Sequence, residues 1–190
     1  MTRPRTLITA VIVVAVALTG AAVYALANPA RSGTAATVPA IGRVLPVAQR
    51  PAAPRITGPA LTGPPQDTSA LGGVVVINIW GSWCVPCRAE APILRQVALD
   101  TKRLGVHFIG IDIKDNRASA QGFTRTYRIP YPSIFDPAGA STAQFGPLAP
   151  RAVPSTFILD AHHRIAAVFF GAVRYTSFNN AVLQVARERP

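Results

Sequence analysis

The chain is 190 residues long, carries 19 Lys and Arg against 8 Asp and Glu for a formal charge of +11, and holds two cysteines, Cys84 and Cys87. That length fits one ordinary domain with some sequence to spare, and so few cysteines exclude a multi-bridge disulfide framework and a four-cysteine zinc site. The charge does not point to nucleic acid: residues 1–66 contribute six arginines and no acid, residues 67–190 a net +5, and the arginines stand singly, with no basic run or interleaved aromatic stripe.

Arg3 and Arg5 precede an uncharged apolar run over residues 7–27, about long enough to cross a bilayer as a helix. The positive flank predicts an N-terminus in the cytoplasm and an exported remainder. Two readings compete: a single-pass anchor in the cell membrane, favoured by the length of the run, and a signal peptide cleaved after Ala27, since Ala25-Leu26-Ala27 has the small-x-small form of a signal-peptidase site. Both put the rest of the chain on the extracytoplasmic side, tethered in the first case and secreted in the second. No cysteine follows the run, so no lipoprotein anchor is expected. Residues 28–53 are rich in Pro, Ala, Gly, Thr and Arg, with too little large apolar surface to fold, and read as a disordered linker. Residues 54–190 are left as the folded domain, long enough for a real core.

Residues 56–63 read as an edge strand or the start of a hairpin, with Pro59 tolerated only at an edge. A turn over 67–73 leads into the apolar run 74–80, a central strand covered on both faces. After the break at Gly81-Ser82 a helix is predicted from about Cys84 to Arg103, with Ile93, Leu94, Val97 and Leu104 on its apolar face, a kink at Pro92 and Gly105 as its stop. A second central strand covers 106–113. Asp112 at its end reads as a solvated strand terminus, with a catalytic part as the less common alternative. A helix over 116–129, a short strand over 131–136 and a short helix over 140–146 follow. Residues 156–160 then pair antiparallel with 165–170 across a turn at 161–164, and a helix over 175–187 closes the chain.

Strand, turn and helix in that order put Cys84 at a helix N-terminus, where unpaired N–H groups and the helix dipole favour the thiolate. Such a thiolate attacks disulfides. Two intervening residues let Cys87 reach back to Cys84, so that a mixed disulfide with substrate is resolved internally. A zinc role for the pair lacks two further ligands, and no metal or cofactor is expected. His162 and His163 lie in a turn where exposed polar residues are ordinary, and His107 lies inside an apolar strand. Glu90, one turn beyond Cys87 on the same helix face, is on its own an acid placed where the dipole favours it. Trp80 and Trp83 read as core and rim of the site, Trp83 beside an exposed sulfur.

Taken together, Trp83-Cys84-Val85-Pro86-Cys87, Asn78 six residues earlier, Glu90 and Pro92 in the helix, and residues 152–160 around Val153-Pro154 resemble the thioredoxin superfamily. The likeness is greatest to its membrane-tethered, extracytoplasmic branch of TlpA, ResA and CcmG type thiol-disulfide oxidoreductases. The resemblance implies a three-layer α/β/α sandwich with a central mixed sheet and a βα insertion, preceded by the N-terminal transmembrane helix. It implies a cis peptide before Pro154, where the residues alone leave cis and trans open. Val153 would then hydrogen-bond through its main chain to an extended substrate beside Cys84, with Trp83 shaping access. It gives Glu90 a second reading, as a carboxylate assisting proton transfer at the sulfurs. The chain departs from the family pattern at His163, which stands where the family usually has a glycine, and in the longer, proline-rich approach from Phe145 to Ala152.

The resemblance further implies a reductase of disulfides in exported proteins, apocytochrome c being the favoured class, kept reduced by a membrane thiol donor. Three alternatives remain. A disulfide-forming oxidase would use the same fold, because known pairs of this spacing span roughly −270 to −120 mV. A copper chaperone would use Cys84, Cys87 and a histidine. Thiol peroxidase chemistry is disfavoured, since the positions where such enzymes hold a hydroxyl residue and a proline are Gly81 and Ile77 here.

Overall fold

The computed structural model describes residues 42–188, so the apolar run over 7–27 lies outside the described residues. A short hairpin, β1 (Thr57–Gly58) with β2 (Gln66–Asp67), precedes the main sheet. The sheet is built from β3 (Val74–Trp80), β4 (Val106–Ile113), β5 (Ser133–Asp136), β6 (Ser155–Leu159) and β7 (Ile165–Phe170), in the spatial order β5-β4-β3-β6-β7. Strands β3, β4 and β5 run parallel, while β6 and β7 are each antiparallel to their neighbours, so the sheet is mixed. Helix α1 (Val85–Thr101) connects β3 to β4, α2 (Arg117–Thr126) connects β4 to β5, and α3 (Tyr175–Ala186) follows β7.

β3 is buried along its whole length, as a β-branched run at the centre of a sheet must be. Its alternate residues feed two cores. Val74 and Val76 pack with Leu94 and Val97 of α1 and Phe178 and Val182 of α3, while Val75, Ile77 and Ile79 face Ile109, Phe157 and Phe145 on the other side. The first face also carries α2, through Ala120 and Phe123 against Trp80. No α-helix supplies the opposite outer layer among the described residues. Ile56 and a 3₁₀ segment, Ala140–Leu148, cover that face, the segment in place of the short helix expected at 140–146. Gly146 (φ 56°, ψ −124°) breaks its helical path before Pro147. α1 continues through Pro92 and ends in a 3₁₀ turn closed by the left-handed Gly105.

The linker expectation needs correcting for residues 42–53. Gly42 N–H donates to Val168 O at 2.8 Å, Leu45 N–H to Ala166 O at 2.7 Å, and Ile165 N–H to Pro51 O at 2.8 Å, so this stretch lies along β7. Leu45 and Arg50 are both buried. Arg50 bridges Asp160 at 3.1 Å and Glu188 at 2.5 Å, and also donates to Leu45 O. A poor apolar composition is compensated here by one cation whose acidic partners lie more than a hundred residues away. The other edge of the sheet is covered too, with Leu61 N–H donating to Ser133 O and Phe135 N–H to Pro59 O.

Candidate functional site

Cys84 is the N-cap of α1, with extended backbone (φ −80°, ψ 110°), and its Sγ accepts the Cys87 N–H at 3.1 Å. A sulfur in that position satisfies one of the orphan donors that open a helix, and the same donor stabilises a negative charge on it. The two sulfurs are bonded, Sγ–Sγ 2.12 Å with Cα atoms 5.2 Å apart.

The expectation of an exposed sulfur does not hold, because Cys84 is 3% exposed and Cys87 1%. Both lie in a cluster with Ala91 of the same helix and with Leu61, Trp80 and Phe123 from three other parts of the chain. Trp83, by contrast, is half exposed at 49%, and Val85 is at 70%, so the apolar rim stands proud of a recessed disulfide. Val153 packs against the same cluster, bringing the residue before Pro154 to the sulfurs. The Val153–Pro154 peptide is cis. Neither the N–H nor the C=O of Val153 has a hydrogen-bond partner among the described residues, whereas Pro154 O accepts from Gly171 N–H at 2.9 Å.

Glu90 is 1% exposed, so it is more than an acid placed to suit the helix dipole: it is buried and hydrogen-bonded. Its Oε1 accepts from Asn78 Nδ2 at 2.9 Å and its Oε2 from the Val173 N–H at 3.0 Å. Asn78 in turn donates to Thr156 Oγ1 at 3.0 Å, tying β3, α1 and β6 together beneath the disulfide. Burial pushes the Glu90 carboxyl up to about 7 despite these hydrogen bonds. A cavity of about 10 Å³ separates Cys87 from Asn78 and Tyr131. Thr156 and the Val173 amide were not singled out in the sequence, since only the folded sheet brings them to Glu90.

The loop before Cys84 is pinned on both sides of the Ser82 peptide. Asp115 Oδ2 accepts the Ser82 N–H at 2.6 Å, and Arg88 donates to Ser82 O at 2.9 and 3.1 Å. Trp83 Nε1–H donates to Ile113 O at 3.3 Å. Asp112 is not a solvated strand end: it is completely buried on the Trp80 face of β4. Burial, then the neighbouring Asp115 charge, pushes its carboxyl up to about 8. His162 and His163 lie just past the far end of β6, since Leu159 pairs with Val75 at the start of β3 while the sulfurs follow its end. They are not brought to the cysteines. His163 takes the left-handed conformation (φ 55°) for which a glycine is the easier residue. Among the described residues no group of three or more His, Cys, Asp or Glu is placed to hold a metal ion, and no helix is long and apolar enough to cross a membrane.

Residues 50–168 match the AhpC/TSA family. Over 112 residues the chain is 37% identical to a thiol:disulfide interchange protein DsbE homolog of Paracoccus denitrificans, covering 58% of each protein. Over 94 residues it is 27% identical to the thiol-disulfide oxidoreductase ResA of Bacillus thuringiensis, covering 50% of this chain and 53% of that one. The chain thus spans a little over half the length of these curated relatives. Among solved structures, a DsbF homologue from Corynebacterium diphtheriae superposes with a TM-score of 0.70 at 32% identity, over 74% of this chain and 90% of the other. Fold, cysteine pair and sequence matches agree that this chain belongs to the AhpC/TSA family, on a thioredoxin-like α/β fold shared with the DsbE and ResA thiol-disulfide oxidoreductases.

Proposed function

We propose that this protein is an extracytoplasmic thiol-disulfide oxidoreductase that reduces disulfides in exported proteins, with Cys84 as the attacking sulfur and Cys87 as the resolving one. The observation that carries the reading is the N-cap position of Cys84, its sulfur hydrogen-bonded to the Cys87 N–H and bonded to Cys87 itself. In the reduced protein the Cys84 thiolate attacks one sulfur of the substrate disulfide, and the other leaves as a thiolate. Cys87 then loses its proton, attacks Cys84 Sγ in the mixed disulfide and expels the second substrate sulfur. Two electrons pass to the substrate, and the protein is left as the disulfide. Glu90, one turn along from Cys87, accepts the Cys87 proton in this scheme; a carboxyl near 7 is suited to take and return a proton at neutral pH.

The unpartnered main chain of Val153 supports an extended substrate strand pairing there, and Trp83 and Val85 provide an apolar rim against which it lies. A groove of about 370 Å³ between Pro147, Arg151 and Phe170 continues the same surface. Apocytochrome c is the proposed substrate class, by resemblance to the tethered branch, with a membrane thiol donor restoring the dithiol. The run over 7–27 is proposed to anchor the domain outside the cytoplasm.

The test is a Cys87→Ser variant expressed in the native host, which stalls at the mixed disulfide. Exported proteins, apocytochrome c among them, are expected covalently held on Cys84 and released by reductant. An empty trap overturns the protein-substrate reading, and a trap holding only proteins that gain disulfides from the chain overturns the direction of electron flow.

A further inference from the structure

The loop Gly81-Ser82-Trp83 takes two of its contacts from the end of β4 and the residues just after it, Ile113 O on Trp83 and the Asp115 carboxylate on the Ser82 N–H. Beside Asp115 lies Asp112, wholly buried, with neither carboxyl oxygen hydrogen-bonded among the described residues. An ionised carboxylate with no donor is the form that a protein interior tolerates least.

The charged groups that face Asp112 are Asp115, Arg117 of α2 and Asp136 at the end of β5. Arg117 is the only cation of the three, and it is engaged elsewhere. Its Nη1 donates to Ala60 O and Leu61 O, each at 2.8 Å, and its guanidinium lies 4.3 Å over the Phe135 ring. Asp136 accepts the Ala140 and Ser141 N–H groups and the Ser141 hydroxyl. Asp115 remains as the acceptor within hydrogen-bonding reach of Asp112. A carboxyl group beside a second carboxylate, with no cation paired to it among the described residues, is favoured in its protonated form.

We propose that Asp112 is a positioning residue for the reactive cysteine: as a neutral acid it donates a hydrogen bond to Asp115, fixing that carboxylate on the Ser82 N–H and with it the loop that presents Cys84. The inference rests on the reading of Cys84 as the attacking thiol. The proton resides on Asp112 and is lost to solvent when Asp112 ionises; none passes to sulfur. With the Asp112 carboxyl near 8, the clamp is closed at neutral pH and opens as the pH rises beyond that value, when two carboxylates face one another. A closed clamp also spares the Cys84 thiolate a second negative charge.

The experiment uses the oxidised protein, in which neither cysteine titrates, and follows the Ser82 backbone amide by NMR as a function of pH. In the parent the Ser82 signal is expected to move with a midpoint near 8. Asp112→Asn, whose amide donates to Asp115 at every pH, abolishes that movement, and Glu90→Gln leaves it in place. A flat Ser82 amide in the parent overturns the proposal, as does a titration that survives Asp112→Asn or disappears in Glu90→Gln. In the reduced protein, Asp112→Asn keeps the Cys84 alkylation rate at pH 7 within about twofold of the parent, while the donor-less Asp112→Leu lowers it about tenfold through loss of loop alignment. Equal rates in Asp112→Leu and parent across the pH range also overturn it. A parent Cys84 inert to alkylation sinks the proposed function instead, and the Ser82 titration then decides the clamp on its own.

Discussion

At the end of the sheet away from the sulfurs, Asp160 is buried among donors: the Arg50 and Arg164 guanidiniums and the backbone N–H groups of His162 and Arg164 all reach it. At the sulfur end, Glu90 and Asp112 are at least as deeply buried, yet no Lys or Arg pairs with either among the described residues. The consequences run in opposite directions. Burial acts to raise Asp160, but the hydrogen bonds from Arg164, Arg50 and His162 outweigh it and hold the carboxyl below its ordinary range. Burial outweighs the Val173 and Asn78 hydrogen bonds at Glu90, and burial with the Asp115 charge outweighs the Arg117 charge at Asp112, so both are pushed up toward neutrality. One end spends its buried charge on holding the chain together. The other keeps its acids poised to gain or lose a proton within the pH range in which a thiol does the same.

The largest effect that tests this contrast is expected from Arg50→Ala. It leaves Asp160 buried with half its guanidinium partners gone and releases Glu188 and Leu45 O, for a loss of about 3–5 kcal/mol in urea unfolding. Disulfide reduction at a temperature where the variant is folded should be unchanged. A loss of stability too small to measure would mean that the far end is not held by its charges.

Next comes the pH dependence of stability. Folded Glu90 holds its proton to about 7, against an ordinary 4.5, so between those values the native state is protonated where the unfolded chain is not. Stability therefore falls as the pH rises through that window, by about 3 kcal/mol, and levels off above it. Asp112 extends the same slope toward 8. Asp160 has the opposite sign: its contribution is present above the ordinary carboxylate value of 3.8 and disappears as the pH drops below it. Glu90→Gln should make the fall between 4.5 and about 7 shallower, with the Asp112 slope remaining up to about 8, and leave the acid limb alone. Urea midpoints collected from pH 3 to pH 9 would show either outcome.

The smallest change is expected from Arg55→Ala. Its 2.6 Å pair with Asp67 has the same chemistry as the Arg50 pair, but the Arg55 side chain is 68% exposed. Surface ion pairs of this kind contribute little, and the unfolding midpoint should not move. A shift comparable to that of Arg50→Ala would show that burial is not what separates the two ends.

Much of this was legible from local pattern. The apolar run over 74–80, the break at Gly81-Ser82 and the helix that follows are signalled within a few residues of themselves, and β3, α1 and β4 lie where that pattern puts them. The β6 and β7 pair with its turn was equally plain. What escaped notice depends on residues far apart. Asp112 looked like a solvated strand end because its sequence neighbours do not reveal that Trp80 lies across from it in the sheet. Residues 42–53 looked like linker because composition cannot report that Arg50 meets Asp160 and Glu188. Cys84 was expected at the surface because a helix N-terminus usually lies there; Leu61, Phe123 and Val153 arrive from three other segments to cover it. The cis peptide at Pro154 was readable only through family resemblance, since an isolated Val-Pro gives no sign of its isomer.

The flanks of the sheet carry one more implication. Residues 42–53 cover β7, and residues 59–61 cover β5, so both outermost strands already have company for their backbone groups. A visiting polypeptide finds no long ladder to extend at either side, and copies of this domain crowded together have little with which to zip into fibres. Removing the first 53 residues, far from trimming a passive leash, would strip one of those covers and invite such growth. Among the described residues the N–H and C=O of Val153 are left without partners beside the cysteine cluster, and it is to this backbone that the proposed substrate strand would pair.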